Sequence, residues 1–396
     1  MRNGKLSQIP EGWQWRKFGD CAKLINGRAY SQEELLDSGT PVLRIQNLNG
    51  GDRWYYSNLK LPEEKYCEAG DLLYAWSASF GPYRFSGTKS IFHYHIWRVI
   101  PNEKLDKAFA YRLLEWITEE IKSAAHGVAM LHMTKSGMEE WLIPLPPLEE
   151  QRRIAEVLDR AEELRSKRRE AIAQLDTLTQ AIFIEMFGNN PPLESGWDIV
   201  KFGDLIEVLT DYHANGSYEI LRDNVVLKNQ IDYALMVRTT DLENNNFENN
   251  CIYIDEKAYN FLSKSKVYGG EIIINKIGSA GKVYLMPYLK RPVSLGMNAF
   301  LIRLNNKVNT SFIYYFLTSS YGKEAINKNV KGAVTKTITK EAIRGIKTPV
   351  PPLHLQQEFA RRVEAVEKLK AAHRASLSEL DALFASLQHR AFRGEL

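Results

Sequence analysis

The chain has 396 residues, 44% of them apolar and 25% charged, which suits a globular protein with room for two or three domains. No apolar run approaches the roughly 20 residues that span a bilayer, and the start, MRNGKLSQIPEGW, lacks the hydrophobic stretch of a signal peptide, so a cytoplasmic protein is expected. Three scattered cysteines, Cys21, Cys67 and Cys251, argue against a disulfide framework or a structural zinc site, and a net charge of +4 permits nucleic-acid binding without demanding it.

The first globular region, 1–146, opens with Gly12-Trp13 and Lys17-Phe18-Gly19-Asp20. Short apolar runs predict strands at 41–45, 71–75 and 93–99, and a helix is predicted at 108–123. After Pro146-Pro147 comes a stretch free of Gly and Pro, which predicts one long helix within 147–187. Acidic Glu149 and Glu150 suit its N-terminus, where the dipole favours negative charge, and Gly188 ends it. Ile154, Ala161, Arg168, Leu175 and Ile182 step by seven, with Val157, Leu164, Ala171 and Leu178 three residues later, as in a seam for a partner helix.

The chain then starts again. Gly196-Trp197 and Lys201-Phe202-Gly203-Asp204 repeat the opening at a shift of 184, and strands are predicted at 271–275 and 299–303, with a helix at 310–328. Gly127, Thr134, Lys135, Pro146, Pro147 and Gln151 return as Gly332, Thr339, Lys340, Pro351, Pro352 and Gln356, a shift of 205. Between the opening and closing anchors, 21 extra residues therefore accumulate inside the second globular region, 188–350, because the shift grows from 184 to 205. A second long helix follows within 351–396, with Phe359, Val366, His373, Leu380 and Leu387 stepping by seven and Leu369 and Leu383 on the companion line. The expectation is a pseudo-two-fold α+β architecture of two tandem domains joined by two long antiparallel coiled-coil helices. Helices of about 40 residues, roughly 60 Å, would hold the domains at a set separation in a closed ring. Arg168 and His373 share one position near the helix centres, where they either set the register or reach solvent.

Taken in order, Gly12-Trp13, Leu43-Arg44-Ile45-Gln46-Asn47-Leu48, Glu68-Ala69-Gly70-Asp71-Leu72-Leu73 and Ile143-Pro144-Leu145-Pro146-Pro147-Leu148-Glu149-Glu150-Gln151, with their second-half counterparts, resemble the specificity subunit of type I restriction-modification systems. The resemblance covers nearly the whole chain. It implies two target-recognition domains, each reading one half of a bipartite, asymmetric double-stranded DNA site. It also implies helices that dock two methyltransferase (modification) subunits and, through them, restriction/translocase subunits. S-adenosylmethionine, ATP and magnesium would be bound by those partners, and this chain would be non-catalytic by itself. The second region departs in having Val237-Arg238-Thr239-Thr240-Asp241-Leu242 for 43–48.

The residues favoured for DNA contact are Arg44, Gln46 and Asn47 in the first region and Arg238, Thr240 and Asp241 in the second. Arg pairs with guanine, Asn and Gln with adenine, and Asp accepts from cytosine N4, though such residues also fix turns. Trp76, Ser77 and Ser79, with Asn275, Lys276 and Ser279, come next because they follow the repeated Gly-acid strand. Lys135 and Lys340, each after a Thr, read equally as phosphate anchors or helix starts. Neither catalysis nor a metal centre is expected. In Asn190-Pro191-Pro192-Leu193 a leucine stands where an amino-methyltransferase stacks an aromatic ring, and Gly278-Ser279-Ala280-Gly281-Lys282 has the wrong spacing for a phosphate loop, so the first reads as linker and the second as a turn. His93 and His95 would share a strand face as a metal pair would, but with no third ligand nearby they are expected to pack beside Trp97 and Tyr94. A self-sufficient methyltransferase would require the missing glycine-rich cofactor loop. A scaffold without DNA binding would show no salt-dependent affinity for DNA.

Overall fold

The computed structural model describes residues 9–77, 79–124, 133–188, 196–332 and 334–396. The linker motif at 190–193, the repeated Gly127 and Ala78 lie outside them. Two compact units emerge: residues up to Arg169 together with Arg374–Leu396, and Glu170–His373. This division differs from the expected segments, because each long helix contributes one portion to each unit's core.

The first unit contains two four-stranded sheets. One has the spatial order Ala22–Asn26, Ile96–Pro101, Leu72–Ala75, Gly81–Arg84, all antiparallel. The other runs Tyr55–Ser57, Thr40–Leu43, Ser90–Phe92, Tyr66–Cys67 and holds one parallel pair, Val42 opposite Ile91. The second unit repeats both orders. Ile206–Asp211, Ala299–Leu304, Ile272–Asn275 and Val283–Leu285 form one sheet, and Ile252–Ile254, Ala234–Val237, Val293–Leu295 and Lys266–Val267 the other, again with one parallel pair, Leu235 opposite Val293. A two-stranded ribbon precedes each long helix, Gln14–Lys17 with Leu142–Leu145 and Asp198–Lys201 with Lys347–Val350. The topology that the sequence left undetermined is therefore the same in both units.

Strand periodicity explains the layering. Side chains alternate across a sheet, so a strand buried on both faces reads as a continuous apolar run. Leu72 and Tyr74 enter a core shared with the helix Lys107–Ala124 and the long helices, while Leu73 enters the core against the other sheet. In the second unit Ile272 and Ile274 face one core and Ile273 the other. The three cysteines are buried and free.

The long helices span Leu148–Phe187 and Leu353–Ala391. The buried line includes Ile154, Leu158, Ala161, Leu175, Thr179 and Phe183 in the first, and Phe359, Val363, Val366, Lys370, Phe384 and Ala391 in the second. The companion line therefore falls four residues after the stepping position. This corrects the three-residue offset: Leu164, Leu178, Leu369 and Leu383 are 42 to 49% exposed. Arg168 and His373 are half-buried. Three other elements also differ from expectation. The strand predicted from 93 begins at Ile96 after a turn at 94–95, and the run 41–45 ends at Leu43, followed by a short helix, Ile45–Leu48. The helix predicted over 310–328 is two, Thr310–Thr318 and Ser320–Asn327. Extended Ser319 separates them; its hydroxyl donates to Phe316 O (2.7 Å) and accepts from Gly322 N (3.2 Å).

The repeated glutamine also acquires a reason. Gln151 is fully buried; its Oε1 accepts from Asp106 N (2.7 Å), and its Nε2 donates to Lys104 O (2.9 Å) and Pro146 O (2.8 Å). Gln356 does the same work, accepting from Asn309 N (2.8 Å) and donating to Pro351 O (2.7 Å). Each glutamine ties the start of a long helix to the loop before the unit's own helix, satisfying backbone groups that burial would otherwise strand.

Candidate nucleic-acid interface

In each unit the site begins where the central strand of the second sheet ends. After Leu43 the backbone turns into the helix Ile45–Leu48, and Asn47 Oδ1 accepts the Arg44 N–H (3.1 Å). The Asn47 amide donates to Arg53 O (2.9 Å) and Gly51 O (3.3 Å), and Gln46 Nε2 donates to Arg53 O (2.9 Å). The guanidinium of Arg44 lies 5.3 Å from the Tyr55 ring centroid, a cation–π distance. Arg44, Gln46 and Asn47 thus share one small element, and Asn47 shapes it.

The second unit builds the same element on an ion pair. Asp241 Oδ2 accepts from the Arg238 backbone (2.8 Å) and from Arg238 Nε (3.1 Å), while Oδ1 accepts from Nη2 (2.6 Å). Asp241 is 4% exposed and engaged by Arg238, whereas Thr240 is exposed. Arg238 Nη2 also donates to Asn250 O (2.8 Å).

The turn after the repeated Gly-acid strand comes to the same place. Asn49 Nδ2, just past the short helix, donates to Ser79 Oγ (2.9 Å), and Asn49 Oδ1 accepts from Tyr83 OH (2.9 Å). The second unit echoes this, with Glu243 Oε1 accepting from Tyr284 OH (3.0 Å) and Lys282 Nζ (2.9 Å). Trp76 stacks on Trp97 (5.9 Å between centroids), and its Nε1 donates to Tyr94 O (2.9 Å). Ser77 is half-buried beside it. Asn275 is buried and closes its turn through backbone bonds to Lys282 and Gly281, while Ser279 is exposed at the tip.

Lys276 and Lys340 are brought together. Their Nζ atoms lie 3.1 and 3.2 Å from the two oxygens of Asp211, and both sit near the Phe300 ring. Burial raises the Asp211 pKa, but hydrogen bonds and attraction from the two lysines win and hold the carboxyl below its ordinary value. Lys340 and Lys135 are both first residues of short helices capped by the preceding threonine, Thr339 Oγ1 accepting from Ala342 N and Thr134 Oγ1 from Gly137 N. Lys135 pairs with Glu139 at 3.5 Å.

His93 precedes the turn and His95 lies in it; their rings meet edge-on at 4.9 Å, not on a strand face, and both lie against Tyr94. Burial, then His95, then Arg44, push the His93 pKa down to about 4. Sequence reading passed over this turn because its aromatic and β-compatible residues continue the strand pattern. The signal that could have found it is the repeat: at the matching place the second half has Gly296-Met297-Asn298, which no strand pattern favours. Among the described residues no group of three or more His, Cys, Asp or Glu is placed to hold a metal.

Two units of one topology, each offering a polar face assembled from the same three loops with different side chains, define a modular recognition protein. The model for the type I restriction modification DNA specificity domain matches residues 10–174 and 194–382. The chain belongs to this family, and its role is DNA sequence specificity. Among curated relatives it is similar to the EcoBI specificity subunit of Escherichia coli, 22% identical with 100% of this chain and 88% of the relative covered. The MjaVIII specificity subunit of Methanocaldococcus jannaschii is also 22% identical, over 94% of this chain and 90% of the relative. The fold is similar to that of the solved S subunit from M. genitalium, with a TM-score of 0.57 at 16% identity, covering 99% of this chain and 98% of that one. A chain from a structure concerned with assembly and conformational transition of the type I R-M system matches equally, TM-score 0.57 at 18% identity, over 98% of this chain and 100% of that one. Among the described residues no helix is long and apolar enough to cross a membrane.

Proposed function

We propose that this chain is the DNA-reading subunit of a type I restriction-modification complex, each unit recognising one half of a bipartite, asymmetric duplex site. The observation that carries this is the duplication itself: identical sheet orders present Arg44, Gln46 and Asn47 in one unit and Arg238, Thr240 and Asp241 in the other. Identical scaffolds with different faces would read different sequences, hence the asymmetric target. In the second unit the freer candidates are Thr240 and Ser279, because Asp241 and Arg238 are engaged with each other, and Lys276 and Lys340 would supply phosphate contacts.

The long helices would dock two methyltransferase subunits and, through them, restriction subunits. Supporting this is a line of exposed leucines that returns after 205 residues, Leu164 as Leu369 and Leu178 as Leu383. Partly exposed apolar side chains repeated on two polar helices suit partners bound twice. S-adenosylmethionine, ATP and magnesium would reside on those partners, and this chain would contribute recognition without chemistry of its own.

Mapping methylated bases across the native host genome, with and without this gene, tests the reading. The expected result is a split, asymmetric motif that vanishes on deletion. An active methylome unchanged by deletion, together with no salt-dependent DNA binding by the purified complex, would overturn it.

A further inference from the structure

We infer that the turns Tyr94-His95 and Met297-Asn298 are the specificity-determining centres of the two DNA-reading faces. The inference rests on the DNA-reading function proposed above and narrows it to atoms. In the first unit His93 N donates to Leu43 O (2.9 Å), immediately before Arg44, and Trp76 N donates to His95 O (3.1 Å). The turn is therefore stitched between the two loops that carry the other candidates. The second unit repeats the stitching: Gly296 N donates to Val237 O (2.8 Å), before Arg238, and Lys276 N donates to Asn298 O (2.7 Å).

The backbone of both turns is fixed, and Tyr94, Met297 and Asn298 are exposed, while His95 is half-buried with its ring edge-on to Trp76 at 5.2 Å. Tyr94 N donates to Arg28 O (3.0 Å) and Ile96 N to His93 O (2.9 Å), so the first turn is held on all sides. Tyr94 is nevertheless 40% exposed and Met297 48%. Asn298 is exposed and holds φ at 69°, a left-handed conformation that Asn and Asp tolerate better than most residues. Position 296 is a scaffold position, since a Cβ there would meet Val237 O at 2.8 Å. A rigid backbone presenting side chains that differ between the two units beside the other polar candidates is the arrangement that base reading requires, because loose side chains would lose their discrimination to entropy.

The chemistry at the tips differs in a definite way. Tyr94 and His95 offer a phenol and an imidazole, and Met297 and Asn298 offer an apolar contact and an amide. An amide suits the N6 and N7 edge of adenine, and a methionine suits a thymine methyl, so the second unit reads an A·T-containing step at this point.

The test is selection of a randomised duplex library by the full-length chain copurified with its modification subunits. The wild type returns a bipartite motif. Tyr94→Ala and His95→Ala relax base choice within one half-site by about 5- to 150-fold per contacted base pair and leave the other half unchanged, an internal control for folding. Met297→Ala relaxes the other half, and Asn298→Asp turns a preference for adenine toward cytosine. A wild-type motif retained in full by all four variants would overturn this inference and leave the proposed function standing. Loss of both half-sites together would assign the turns to folding and also overturn it. If the wild type returns no motif, the proposed function fails first and the inference with it.

Discussion

His93 shows what a residue contributes when it stands beside the proposed reading surface without belonging to its exposed tip. Half-buried between Tyr94 and Tyr30, and close to Arg44 and His95, it gains little from a proton. Its pKa falls from 6.5 to about 4, so the folded unit prefers the neutral ring. A group whose folded pKa is depressed stabilises the fold above its unfolded pKa, and that contribution fades as the pH falls from about 6.5 toward 4. The His93 ring signals in an NMR titration are therefore expected to keep their neutral-form shifts at pH 5.5. A midpoint near 6.5 would contradict the packing. Neutrality also means that changes in DNA affinity between pH 6 and 8 come from elsewhere.

At the scale of elements, the seam of the long helices carries a duplicated polar device. Arg165 pairs with Glu162 one turn before it and with Asp381 on the facing helix at 2.7 Å. Its repeat counterpart Lys370 pairs with Glu367 and Asp176, both at 2.6 Å. Lys370 is 6% exposed, while its carboxylate partners reach solvent. The asymmetry sets the energetics: carboxylates that lose the lysine can rehydrate, but an ammonium that loses both carboxylates cannot. Lys370→Met is thus expected to shift unfolding free energy by less than about 1 kcal/mol, whereas Asp176→Ala with Glu367→Ala costs about 1–3 kcal/mol, below a fully buried pair because the acids are solvated. Urea denaturation of the full chain measures both, and a larger loss for Lys370→Met would refute this account. The helices, their prolines and the duplicated glutamines were legible in sequence because period and punctuation are local signals. The seam was legible only on one line. Leu164 and Leu178 are apolar at a spacing that a helix pair accepts, and hydrophobicity alone cannot tell a seam position from a half-exposed one. The strand topology was illegible because it depends on pairing between distant residues, and Asp241 looked like a free acceptor because sequence does not show that Arg238 folds back on it.

At the scale of the molecule, two units that each build their own cores and their own polar face imply that affinity and choice separate. Phosphate contacts are independent of sequence and release counterions, so each neutralised phosphate adds about −0.9 to the slope of log affinity against log salt. Base contacts discriminate without changing that slope, at about 1–3 kcal/mol per mismatched pair. Scrambling one half-site in an otherwise full-length duplex should therefore weaken binding by the complex while leaving the salt slope nearly intact. Truncating the duplex to one half-site should also reduce the slope to roughly half, because the lysines of one unit, such as Lys276 and Lys340, would lose their phosphates while those of the other keep theirs. Fluorescence anisotropy at several salt concentrations separates the two effects. If truncation leaves the slope unchanged, one unit alone holds the DNA, and the duplicated fold would not be a duplicated reader.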